Sequence, residues 1–126
     1  MEHLHNEYSS QQCWGLLGSI NLYDCHSDHI KDPEKIQQFI DALCKEIDMK
    51  KFGPTLIQRF AEGELEGYSA LQFIETSSIT IHFDEVKNRA FIDIFSCKYF
   101  DYKKAEEFAK NFFTAKESSS QYLLRK

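Results

Sequence analysis

At 126 residues, with 42% hydrophobic and 14% aromatic side chains, the chain can bury the core of one domain and needs no second. Its 15 Lys and Arg against 20 Asp and Glu leave a net charge of -5 with no basic run, which argues against nucleic acid as a partner. No apolar run approaches the ~18 residues of a bilayer span. The polar start MEHLHNEYSSQQ lacks the apolar core of a signal peptide, so the expectation is a cytoplasmic protein without a membrane partner.

In chain order, residues 1–12 read as loose, and Trp14 to Tyr23 as a first strand entered through Gly15 and Gly18. Residues 24–31 form a polar loop. Asp32-Pro33-Glu34 then opens a helix with an N-cap, a proline at the first helical position and an acid in the first turn. Ile36, Phe39, Ile40, Leu43, Cys44 and Ile47 recur at helical spacing and predict one apolar stripe, ending near Asp48. Phe52-Gly53-Pro54 breaks the chain before a second strand from Thr55 to Phe60. An acidic loop, 61–67, precedes strands predicted at Tyr68–Glu75, Ser78–Phe83 and Arg89–Ser96. The last is apolar on both faces and belongs inside a sheet. A second helix is predicted from Tyr102 to Phe113 behind Asp101, and a short edge strand at 121–124. Hairpins interleaved with two amphipathic helices predict a single α+β domain, 1–126. It is a two-layer sandwich in which both helices pack on one face of an antiparallel sheet.

The four cysteines form no C-x-x-C pair and imply neither a disulfide framework nor a zinc knuckle. Cys44 lies on the apolar stripe and reads as core. Cys25-His26-x-x-His29 has a ligand-like spacing but no second ligand pair, so no metal is expected.

The reactive residue types gather in 75–97, ETSSITIHFDEVKNRAFIDIFSC: adjacent hydroxyls at Ser77 and Ser78, His82 five residues beyond Ser77, and Cys97 fifteen beyond His82. Alternation along a strand sends Ser78, Thr80 and His82 to one face and Ser77, Ile79 and Ile81 to the other. Ser77 and His82 therefore do not meet along a regular strand. Either the chain kinks near Ser77 or these are ordinary sheet positions.

These residues give the chain from Trp14 to about Phe113 a resemblance to the short bacterial and archaeal class of S-adenosylmethionine decarboxylases. That family has a Y-G-C run where this chain has Tyr23-Asp24-Cys25. Its E-S-H-x-x-I-H segment corresponds to Thr76 through His82, its F-T-C-G turn to Phe95-Ser96-Cys97-Lys98, and its G-x-S-G run to Gly67-Tyr68-Ser69-Ala70. The resemblance implies self-cleavage between Thr76 and Ser77 into a β chain, 1–76, and an α chain, 77–126. Ser77 becomes a pyruvoyl cofactor that holds the substrate amine as a Schiff base and withdraws electrons as carbon dioxide leaves. It assigns His82 as the processing base, Ser69 to processing and positioning, and Cys97 as proton donor, a role suited to a thiol that is protonated at neutral pH. The product supplies aminopropyl groups for spermidine, and the enzyme is typically a homodimer with sites near the subunit interface.

Some positions depart from the family. Thr76 and Ser78 replace Glu and His around the cleaved serine, which leaves cleavage before Ser78 as an alternative. The family's T-W-P-E run, with an aromatic for adenine and an acid for ribose, is here Phe83-Asp84-Glu85-Val86. The loop before Ser69 is longer and richer in glutamate. Phe60, Glu66, Tyr68, Phe83, Asp84 and Glu85 are the expected substrate contacts. The added carboxylates admit ornithine or arginine as a rival substrate, and a non-processed regulatory homologue is a third reading.

Overall fold

The computed structural model describes residues 2–126; Met1 lies outside the described residues. Against the expectation of a loose start, Glu2–Ser10 form helix α1. A nine-residue polar segment is too short to hold a helix by its own propensity. Tertiary contacts hold it: Leu4 is buried in the core, and His5 stacks on Tyr99 with ring centroids 4.2 Å apart.

Strand β1 (Gly15–Tyr23) follows, then a single turn, α2 (Ser27–Ile30), inside the expected loop. Helix α3 (Pro33–Glu46) starts as its sequence demands, with the Asp32 carboxylate accepting from the Glu34 N–H at 2.9 Å. Strand β2 (Leu56–Phe60), a 3-10 turn (Gly63–Leu65), and strands β3 (Gly67–Ile74), β4 (Ser77–Asp84) and β5 (Arg89–Ser96) come next. Helix α4 (Tyr102–Phe112) is capped by Asp101, which accepts from the Lys104 N–H. Strand β6 (Glu117–Arg125) is nine residues long, where the sequence suggests four. Its Ser-rich half lacks apolar alternation, but it pairs with β1 along its whole length, and the Ser118 and Ser120 hydroxyls donate to the Glu106 carboxylate.

The six strands form one antiparallel sheet in the order β2-β3-β4-β5-β1-β6. As expected, β5 lies inside it. The core sits between one face of this sheet and helices α3 and α4. Leu16, Ile20 and Leu22 of β1, Ile79 and Ile81 of β4, and Ile92 and Ile94 of β5 meet Ile36, Phe39, Ile40 and Leu43 of α3 and Ala105 and Ala109 of α4. Phe39 is its aromatic centre, 4.7 Å from the Phe113 ring and 5.2 Å from that of Phe112. Such tilted contacts add to burial itself.

Gly18 lets β1 run close under the start of α4. A Cβ built there would lie 2.9 Å from the Cβ of Tyr102 and 3.3 Å from the Phe100 ring. Gly18→Ala is expected to cost about 1–3 kcal/mol by overpacking, read as a lower urea midpoint at unchanged m value.

Candidate active site

The hairpin joining β3 to β4 turns in two residues, Glu75 and Thr76, between the paired Ile74 and Ser77. Neither turn residue has the positive φ that a primed hairpin turn needs. The misfit appears one residue later, where Ser77 takes φ 155°, a conformation side-chain-bearing residues rarely adopt. The chain is kinked at Ser77, one of the two alternatives that alternation leaves open, but the kink does not bring Ser77 to His82, which pairs with Ser69 further along the strand.

The end of β5 closes over this junction. Ser77 pairs with Ser96, and the next backbone N–H, that of Cys97, donates to the Thr76 carbonyl at 2.8 Å. The buried Ser96 hydroxyl donates to Thr76 Oγ1 at 2.7 Å and accepts from the Lys98 N–H at 2.9 Å. Thr76 is thus held at its carbonyl and its side chain by one turn, 96–98. Its carbonyl carries a backbone amide donor, an arrangement able to stabilise negative charge on that oxygen. The Cys97 side chain is exposed beside it.

Ser69 and His82 face each other across β3 and β4, with the Ser69 hydroxyl 2.8 Å from His82 Nδ1. They line a cleft of about 470 Å³ with Phe60, Tyr68, Phe83 and Asp84. Phe83 is largely committed to the core, edge-on to Phe113 at 5.5 Å, whereas Phe60 is 56% exposed. The Tyr68 ring lies under the Arg59 guanidinium, 5.1 Å away. Glu66, Asp84 and Glu85, the acids among the expected substrate contacts, already have partners. Arg59 holds Glu85 through two hydrogen bonds, 2.5 and 3.0 Å, and Glu66 at 2.9 Å; Arg89 holds Asp84 at 2.7 Å. A carboxylate satisfied by a guanidinium offers little to a second one, so the ornithine or arginine reading loses its main support.

The four candidate residues therefore form two pairs, Ser77 with Cys97 at one end of the sheet and Ser69 with His82 toward the other. His82 lies five positions beyond Ser77 along β4, about 16 Å at the rise of a strand. Ser69 and His82 lie on the sheet face that carries no helix, whereas Ser77 begins β4 in alternation with the core-facing Ile79 and Ile81. In strand register, Phe73, Ser78, Phe95, Leu17 and Leu123 form one row across that face, and Ser69, His82 and Phe91 lie in another. Phe73, Leu123 and the neighbouring Leu56 are each more than half exposed.

Sequence reading missed Ser96 and Arg59. The signal for Ser96 was a hydroxyl closing the otherwise apolar series Ala90, Ile92, Ile94; for Arg59 it was a lone cation in a short strand. The Cys25-His26-x-x-His29 run does not converge. Cys25 is buried in the core with its thiol pushed up to about 11 by burial, while the His26 and His29 rings stack on each other at 4.5 Å. Among the described residues no group of three or more His, Cys, Asp or Glu side chains is arranged to hold a metal.

Fold and site together define a two-layer α+β protein with a kinked serine under a hydrogen-bonded carbonyl at one sheet end. The architecture is similar to the crystal structure of the adenosylmethionine decarboxylase from Aquifex aeolicus VF5, with a TM-score of 0.75 and 21% identity over 90% of this chain and 91% of that one, a likeness of fold. The S-adenosylmethionine decarboxylase family matches residues 18–126, and the chain belongs to that family. Proteins from Clostridium botulinum strains Langeland (type F) and Okra (type B1), each named S-adenosylmethionine decarboxylase proenzyme, are 29% identical over 107 residues. That span covers 84% of this chain and 89% of theirs.

Hydrogen bonds from Arg59 hold the Glu85 carboxyl below its ordinary range. A carboxyl depressed in the folded state contributes stability above its unfolded value, about 4.5, and loses it as pH falls through the depressed folded value. Urea midpoints of wild type and Arg59→Met should therefore differ at pH 7 and converge as the pH is lowered below 4.5; a gap independent of pH would count against this pair.

Proposed function

We propose that the chain is a pyruvoyl-dependent carboxy-lyase that acts on S-adenosylmethionine and makes its own cofactor at Ser77. The decarboxylated product supplies aminopropyl groups for spermidine synthesis. The observation that carries the reading is the Cys97 N–H donating to the Thr76 carbonyl at 2.8 Å beside a kinked Ser77. Family membership supports the substrate, and the proenzyme naming of the relatives supports activation by processing.

In self-cleavage the Ser77 hydroxyl attacks the Thr76 carbonyl carbon. A C–O bond forms, the Thr76–Ser77 C–N bond breaks, and the amine of residue 77 leaves with the hydroxyl proton. The Cys97 amide stabilises the oxyanion formed on the way. Removal of the α-proton of residue 77, the task assigned to His82, then expels the ester oxygen from Cβ. Thr76 is left as a new carboxylate, and water releases ammonia from the dehydroalanine that remains. The resulting ketone supplies an electron sink for the carbanion left by decarboxylation. Cys97, exposed beside the same bond, returns a proton to the substrate α-carbon in this reading. Phe60 and Tyr68 offer aromatic faces to the nucleoside, and Ser69 orients His82.

Ser77 and His82 lie about 16 Å apart within one chain, so in this reading they act together across two copies. A second copy packed on the open face, related by a two-fold axis lying in the interface and across the strands, reverses strand direction. It sets the Ser77–Cys97 end of one chain over the Ser69–His82 end of the other. The exposed Phe73, Leu123 and Leu56 supply apolar area for that contact. The partners are then the small substrate and a second copy in the cytoplasm, without nucleic acid or membrane.

Mass spectrometry of purified protein should give two fragments, 1–76 and a carbonyl-blocked 77–126, and the processed protein should release carbon dioxide from S-adenosylmethionine in preference to ornithine or arginine. Ser77→Ala should abolish both; a whole, active chain overturns the reading. Ser77→Ala and His82→Ala chains, each uncleaved when made alone, should when co-expressed yield cleavage of the His82→Ala chain only. Absence of that cleavage argues for a site built within one copy.

A further inference from the structure

Helix α1 lies outside the span that matches the family, and its sequence announces no role. It nevertheless reaches the turn that holds the scissile carbonyl. The Tyr8 hydroxyl donates to the Cys97 carbonyl at 2.9 Å, across 89 positions of sequence. Its ring meets that of Tyr99 edge-on at 5.7 Å, and Tyr99 is in turn stacked by His5. Leu4, buried in the core, fixes the helix one turn earlier. Residue 97 is consequently held from both sides, its carbonyl by Tyr8 and its N–H on Thr76.

We infer that Tyr8 is a positioning residue for self-cleavage: by holding the Cys97 carbonyl it keeps the Cys97 amide aimed at the Thr76 carbonyl while Ser77 attacks. The inference rests on the processing reading above. Residue 97 follows the last paired residue of β5, so the ladder does not fix its orientation beyond Ser96. A free turn there could swing its amide toward water, and an oxyanion donor that must reorient during the reaction loses much of its value. Two bonds at one residue remove that freedom. Burial, with Cys97 and Cys13 nearby, pushes the Tyr8 phenol above its ordinary value, so it remains a donor through the neutral range. Tyr8 touches no reacting atom and acts through Cys97.

Tyr8→Phe keeps the ring that packs on Tyr99 and removes only the donor. The time course of appearance of the 77–126 fragment in newly made chain should slow about tenfold, less than the loss of a whole oxyanion donor because the Cys97 amide remains. The melting temperature should stay at the wild-type value. A second measurement uses the uncleaved Ser77→Ala chain labelled with nitrogen-15. Adding Tyr8→Phe should move the Cys97 amide proton resonance upfield as its bond to Thr76 lengthens. Cleavage at the wild-type rate, or an unmoved Cys97 resonance, overturns the inference, as does slow cleavage accompanied only by a lower melting temperature. If wild type itself stays whole, the processing reading fails, while the Cys97 resonance still reports whether Tyr8 controls that amide.

Discussion

Where β5 runs out at Ser96, the next backbone N–H turns onto the carbonyl of Thr76, and the site is arranged around that bond. It joins the end of a central strand to the tip of a neighbouring hairpin. The tip makes the contact with residues ill-suited to a tight turn, Glu75 and Thr76, and the backbone accommodates the misfit at Ser77. Ser96 adds a second tie to the Thr76 side chain from a fully buried position. A buried hydroxyl that both donates and accepts is satisfied, and it fixes the Thr76 side chain beside the bonded carbonyl.

The sheet sets the remaining distances. An antiparallel ladder puts Ser69 opposite His82 and Ser77 opposite Ser96, and a strand's fixed rise keeps the two pairs apart. Residues adjacent in a motif are thereby carried to different ends of one surface. That surface is open because both long helices pack on the other face, where Phe39 and the aromatic end of α4 complete the core. In the proposed reading this bare, partly apolar face, with part of the constellation at each end, is where a second copy closes the site.

Charge in the cleft follows from pairing more than from composition. Glu66, Glu85 and Asp84 look, along the sequence, like an acidic patch awaiting a cation, yet Arg59 and Arg89 occupy them. Arg59 also covers one face of Tyr68, so the rim is a network of paired charges with an aromatic floor. Such a lining suits a nucleoside better than a second guanidinium or ammonium group.

The sequence by itself determined what depends on near neighbours. The caps at Asp32 and Asp101, the apolar stripes of α3 and α4, and the alternation of β3, β4 and β5 come from residues a few positions apart, and they sufficed for the fold class. The runs around Ser69, Ser77, His82 and Cys97 likewise carried the resemblance to the family. What only the tertiary structure decided depends on residues far apart in the chain. The helix at Glu2–Ser10 exists through Leu4 in the core and Tyr99, the full length of β6 through its register with β1, and the pairing of the cleft carboxylates through two arginines. The clamp on Thr76 belongs to the same group, because periodicity carries no information about which strand end closes over which turn.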